Sequence, residues 1–209
     1  MATTGIVLIL FLIAHMIGNL HAFQGAKAFN EYSSYLRTLG NPAIGYRWFL
    51  TAMEVILTAC ILAHMWAAFS LWYQAKKARP VGYAGGRKAI QQTYASRTMR
   101  WGGVIVLAFI VYHLLDLSAG VVNPAGGNST PYGRLIAGFT NPWVTAWYVI
   151  ALLLLGMHLR HGVWSATQTL GQSNKRRERT VNAFAILFAA LLTAGFLVVP
   201  LSIAFGAIR

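Results

Sequence analysis

The chain has 209 residues, 57% of them hydrophobic and only 10% charged, with a formal net charge of +13 and a mean hydropathy of +0.55. That balance excludes a soluble fold and predicts one integral membrane domain over residues 1–209. The basic excess is not a nucleic-acid surface: it sits in two short connections, where membrane topology and anionic headgroups account for it.

Five apolar runs predict an all-α bundle of transmembrane helices at about 4–23, 47–73, 101–122, 142–170 and 181–207. Each reaches the roughly 20 residues that cross a hydrocarbon core of ~30 Å. The first run, MATTGIVLILFLIAH, lacks a basic leader and a cleavage site and reads as a retained helix. After it, Phe29, Tyr32, Tyr35 and Leu36 predict a short interfacial helix, and Gly40 with Asn41-Pro42 breaks the chain before the second span. The second and third spans are joined by a connection that is long for a bundle and holds Pro80, Gly82, Gly85 and Gly86, which marks it for docking. A Gly/Pro-rich connection then leads to Asn141-Pro142, a cap and first-turn proline for the fourth span. A short basic connection, GQSNKRRER, precedes the fifth. Trp48, Trp66, Trp72, Trp101, Trp143, Trp147 and Trp164 lie near helix ends as an aromatic belt. Five spans exclude a simple inverted-repeat transporter of even count.

Lys76, Lys77, Arg79, Arg87, Lys88, Arg97 and Arg100 crowd the connection after the second span, and Lys175, Arg176, Arg177 and Arg179 the one after the fourth. Only Lys27, Arg37, Arg47 and Arg134 occupy the other two. This bias places the amino terminus and both basic connections in the cytoplasm. The same surface suits a docked protein partner.

Four of the five spans carry a histidine in their interior: His15, His64, His113 and His158. A histidine at membrane depth is costly without a partner. One such residue reads equally well as an interhelical hydrogen bond; four, one per helix, read as two pairs of axial haem ligands. Depth assigns the pairs. His64 lies 17 residues after Arg47 and His158 lies 17 after Asn141, which puts both about 25 Å from the outer face. His113 lies 10 residues before Asn123 and His15 lies 9 before Gln24, which puts both about 15 Å from it. His15 therefore pairs with His113 in an outer layer and His64 with His158 in an inner one. Cys60 is the sole cysteine and no C-x-x-C-H motif exists, so the haems are non-covalent, of b type. Any iron–sulfur cluster needs several thiolates and belongs to another subunit. Bis-histidine iron has no open position for oxygen chemistry and passes electrons; a quinone is the expected membrane acceptor.

Other polar residues have two readings each. His161, one turn past His158, suits a haem propionate, a quinone or the interface. Arg160, Arg97 and Arg100 suit propionates or snorkel to headgroups. Glu54 and Asp116 suit proton relay or structural hydrogen bonds. His21, Asn30 and Glu31 lie beyond the outer haem layer, where His21 and Glu31 are the expected quinone-site residues; Arg160, His161, Trp164 and Ser165 form the competing inner group.

The chain resembles the single-subunit di-haem cytochrome b anchor of succinate dehydrogenases and fumarate reductases. The segments AHMIGNLHAFQGAKAFN, LAHMWAAFSLW, SRTMRWGGVIVLAFIVYHLLDL and LGMHLRHGVWSATQTLG carry the four histidines in that family's order over nearly the whole chain. The resemblance implies that His15 and His113 bind the distal haem and that His64 and His158, rather than His161, bind the proximal one. It also implies flavoprotein and iron–sulfur subunits on the basic cytoplasmic face, menaquinone as membrane substrate, and residence in the bacterial cytoplasmic membrane. It does not distinguish succinate oxidation from fumarate reduction.

Two departures stand out. The family usually carries a cytoplasmic segment ahead of its first helix, and this sequence has almost none between Met1 and its first span. Some fumarate reductase members place a proton-moving glutamate two residues before the fourth ligand, where this chain has Gly156. Two other classes remain open at this point: a stand-alone di-haem electron carrier, and a haem-free transporter or structural membrane protein.

Overall fold

The structure, a computed structural model, describes residues 1–78, 94–172, 174 and 176–209, and of residues 94–98 the backbone. Seven α-helices make up nearly all of it: α1 (Ala2–Asn19), α2 (Gly25–Thr38), α3 (Trp48–Lys77), α4 (Tyr94–His113), α5 (Pro131–Thr140), α6 (Pro142–Thr169) and α7 (Glu178–Ala204). Among the described residues there is no strand. Five helices are long and apolar enough to cross a membrane: α1 with its continuation, α3, the apolar part of α4, α6 and α7. Their interiors are apolar all round rather than on one stripe, as lipid contact requires. α3 buries no residue within the chain and turns Val55, Leu62 and Trp66 outward.

Two short helices cap one end of the bundle. α2 follows α1 through a 3-10 turn, Leu20–Gln24, and forms the short helix that Phe29, Tyr32, Tyr35 and Leu36 predict. α5 lies inside the stretch that reads in sequence as a Gly/Pro-rich connection. Thr130 caps it by accepting from Gly133 N–H at 3.1 Å, and Pro131 occupies its first turn. Its apolar face, Tyr132, Leu135 and Phe139, is buried with Phe109, Tyr148, Ala151 and Val199. Asn30 of α2 accepts from Tyr132 N–H at 3.1 Å, which ties the two capping helices together. The cap of α6 is as the sequence predicts: Asn141 Oδ1 accepts from Trp143 N–H at 3.0 Å, with Pro142 in the first turn.

The helices are not packed uniformly. α6 packs along α7 and α4, and α1 along α3. Where α6 meets α7, a Cβ on Gly156 would overlap the Thr193 side chain. That position is therefore small for close helix approach, and it has no room for the glutamate that some fumarate reductases carry. By contrast, neither α1 with α4 nor α3 with α6 makes an extended backbone approach among the described residues.

Candidate cofactor site

The four interior histidines lie across those two gaps. His15 of α1 and His113 at the end of α4 have ring centroids 5.8 Å apart at an interplanar angle of 80°. His64 of α3 and His158 of α6 are 6.2 Å apart at 56°. Each pair thus joins two helices whose backbones stay apart. The pairs occupy different depths. His64 and His158 each lie 16 residues from the capped-end start of their helix, at Trp48 and Pro142, roughly 24 Å down at 1.5 Å per residue. His15 is four residues from the capped-end terminus of α1, and His113 is the last residue of α4.

This arrangement fits haem. The facing imidazoles of each pair would hold the iron of one haem between them, and that group would supply one-electron chemistry there. Among the described residues no three His, Cys, Asp or Glu side chains gather, and the four interior histidines come in twos. The buried Nδ1 of His158 has no hydrogen-bond partner among the described residues. Beside that ring stands Gly103, where a Cβ would come within 3.6 Å of His158 Cε1.

One histidine of each pair is oriented by a hydroxyl. Thr4 donates its single O–H to the Met1 carbonyl at 3.0 Å, so its oxygen accepts from His64 Nδ1–H at 3.1 Å. Tyr148 donates its O–H to Asp116 Oδ2 at 2.8 Å, and its oxygen lies 3.4 Å from His113 Nδ1. With each hydroxyl proton so committed, the tautomer that suits both contacts carries its proton on Nδ1 and would leave the Nε2 lone pair for a metal. Phe11 stacks on His15 at 5.3 Å, and Phe196 and Phe109 close the space around the pair.

Asp116 decides the capped end. The helix widens after His113 into a π-helical turn, Leu114–Ser118, in which Ala119 N–H reaches the Leu114 carbonyl at 2.8 Å. That turn carries Asp116 inward, where it is 0% exposed and accepts from Asn123 Nδ2 at 2.7 Å as well as from Tyr148. Sequence spacing left its role open; the structure places it in a hydrogen-bond network beside a histidine pair. Arg134, 7% exposed, donates to the carbonyls of Leu117, Gly127 and Ser129 at 2.9–3.0 Å and holds the α4–α5 connection closed.

The remaining sequence candidates are scattered. His21 stacks on Tyr32 at 4.3 Å, with its buried Nδ1 unpartnered among the described residues. Glu31 is 66% exposed and stands 4.0 Å from Lys27. Glu54 pairs with Arg47 at 3.0 Å, with both side chains exposed. His161 is partly buried with its ring 5.8 Å from Trp164; Arg160 beside it is partly buried too. Arg100 lies over the Trp72 ring at 5.2 Å and Lys76 over the same ring at 5.1 Å. The Arg97 side chain lies outside the described residues, as do Arg79, Arg87, Lys88 and Lys175. At the capped end an open apolar cleft of about 350 Å³ is lined by Tyr112, Trp143, Val144 and Trp147. Thr4, beside His64, is one of two threonines that open an otherwise apolar span, the only mark it leaves in the sequence.

Comparison with known proteins agrees with this architecture. The family model described as the succinate dehydrogenase/fumarate reductase transmembrane subunit matches residues 76–197. The chain is similar to the succinate dehydrogenase cytochrome b558 subunit of Bacillus subtilis (strain 168), at 23% identity over 189 residues that span 89% of this chain and 85% of that protein. No solved structure matches it.

Proposed function

The chain belongs to the succinate dehydrogenase/fumarate reductase transmembrane subunit family, and from that premise we propose that it is the cytochrome b anchor of a succinate:quinone oxidoreductase, passing electrons between an iron–sulfur subunit and menaquinone. His15 and His113 hold the distal haem b, and His64 and His158 the proximal one. The observation that carries this reading is the meeting of four histidines, from four helices, as two facing pairs at different depths. When bound, the haems supply one-electron chemistry at two depths in the membrane. The chain's own part is to hold each imidazole in one tautomer through Thr4 and Tyr148, and to keep water out with Phe11, Phe109 and Phe196.

In this reading the uncapped end faces the bacterial cytoplasm, with the amino terminus on that side, and receives the flavoprotein and iron–sulfur subunits. Lys76 and Lys77 are exposed in the last turn of α3. Pull-down in mild detergent tests the assignment: both soluble subunits should come with the chain, and reduced membranes should show b-type bands. Charge reversal at Lys76, Lys77, Arg87 and Lys88 together should weaken that association at least tenfold while haem content stays at the wild-type level. Recovery of the chain alone, with haem, would make it a stand-alone electron carrier.

Menaquinone is assigned to the capped end, on two supports. His21 carries an unpartnered buried nitrogen there, a donor or acceptor for a quinone carbonyl. The open apolar cleft between Tyr112, Trp143, Val144 and Trp147 offers an apolar surface to a prenylated ring. Glu31, exposed at the same end, is placed to take up or deliver protons. Glu31→Gln is expected to slow succinate-driven menaquinone reduction several-fold, while both haems still reduce with succinate. Normal turnover in that variant, with loss of turnover in His161→Ala, would move the quinone to the cytoplasmic side, where Arg160 and His161 lie.

A further inference from the structure

We propose that Tyr148, anchored by Asp116, is the positioning residue that fixes the His113 ring and lowers the reduction potential of the haem that His113 and His15 hold; the proposal rests on the haem assignment above. The hydrogen-bond directions carry it. Asn123 donates through Nδ2 to Asp116 Oδ1 at 2.7 Å and to the Arg134 carbonyl at 3.1 Å, while its Oδ1 accepts from Ala125 N–H at 2.9 Å. Asp116 thus receives Asn123 on one oxygen and Tyr148 on the other. The only proton of Tyr148 is committed to Asp116, so toward His113 the phenol offers a lone pair alone. The 3.4 Å separation is at the long end of hydrogen bonding, and the network leaves His113 Nδ1–H as its donor.

Packing fits a positioning role. Phe109 and Phe139 meet the Tyr148 ring edge-on at 5.0 and 4.8 Å, and Tyr112 lies 6.0 Å away, so the phenol has one orientation. A Cβ on Gly138 would stand 3.3 Å from Asn123 Nδ2 and 3.9 Å from Asp116 Oδ2, so a glycine there lets α5 close over the network. Asp116 has no cationic partner among the described residues, since Arg134 is spent on carbonyls. A fully buried acid without a cation is poor packing material. Its worth here is the polarised phenol it presents to the ligand. An imidazole that donates into such an acceptor is a stronger electron donor to its metal and favours the oxidised state.

The test uses the assembled complex in membranes, with redox titration of each haem band and low-temperature electron paramagnetic resonance. Tyr148→Phe keeps the ring in its aromatic cage and removes only the oxygen. It should retain two haems and raise the potential of the one that His113→Ala removes, by about 59 mV for a tenfold change in a one-electron equilibrium. The resonance of that haem should shift as its ligand plane is released, and the other haem should not move. Asp116→Asn, which keeps an acceptor for the Tyr148 O–H, should shift the same haem in the same direction by less. Should Tyr148→Phe lose that haem, Asp116→Asn decides: a retained, shifted haem supports the proposal, and a lost or unshifted one overturns it. Two haems at unchanged potentials in Tyr148→Phe overturn it as well. Wild-type membranes without any reducible b-type band would instead sink the haem assignment on which it rests.

Discussion

Alanine in place of any one of His15, His64, His113 or His158 is expected to remove one of two spectroscopically distinct haems b and spare the other. The reason is geometric. Each pair draws its members from two helices with no extended backbone approach among the described residues, α1 with α4 and α3 with α6, so the loss of one imidazole leaves a haem with a single ligand. The helices that do pack, α1 on α3 and α4 on α6, carry residues of different pairs, and this keeps the second site intact. Haem content and reduced-minus-oxidised spectra of membranes read the result directly. His15→Ala and His113→Ala should lose the same band, and His64→Ala and His158→Ala the other. His161→Ala should lose neither, because that ring meets Trp164 rather than a second histidine. Loss of one common band in His15→Ala and His64→Ala would refute the pairing.

Arg134→Ala is expected to cost roughly 3 kcal/mol or more of stability, on the scale of 1.5–3 kcal/mol for each hydrogen bond to a charged group. Three buried carbonyls, of Leu117, Gly127 and Ser129, lose their donor at once. The side chain also packs where the chain turns at Gly120, whose φ of +72° and crowded Cβ position, 2.7 Å from Gly127 Cα, admit no other residue without strain. Since this connection carries Asn123 to Asp116, the damage should reach the His15–His113 pair first. Thermal unfolding in detergent, followed at the two haem bands, should show an earlier transition at that band. Arg134→Lys should recover only part of the loss, because an ammonium lacks the fork that spans separate carbonyls. An unchanged transition would mean that water or lipid headgroups satisfy those carbonyls instead.

Much of the site is legible in the amino-acid sequence because a membrane helix turns residue count into depth. A rise of about 1.5 Å per residue, counted from the breaks at Arg47, Asn141, Asn123 and Gln24, is enough to sort four histidines into two layers. The structure brings the same residues together. The caps at Asn141-Pro142 and the interfacial α2 follow from local chemistry in the same way. α5 was not legible: ten residues with Pro131 at the front and two glycines read as a turn, until burial of Tyr132, Leu135 and Phe139 against α4, α6 and α7 makes them a helix. Asp116 and Glu54 look alike in sequence, as lone acids inside spans. Glu54 faces the surface beside Arg47, while a π-helical turn brings Asp116 into the bundle.

By itself, then, the sequence determined the membrane class, the five spans and the position of each histidine along its span, all properties that run along single helices. Tertiary structure alone decided which hydroxyl meets which imidazole, why position 156 must be glycine, and where Asp116 points. Those depend on the rotation of one helix against another. Residues 113, 116, 123 and 148 meet through a widened turn and a folded connection that no periodicity in the chain records. Depth is additive along a helix and can be counted, whereas azimuth is set by packing against neighbours and has to be observed.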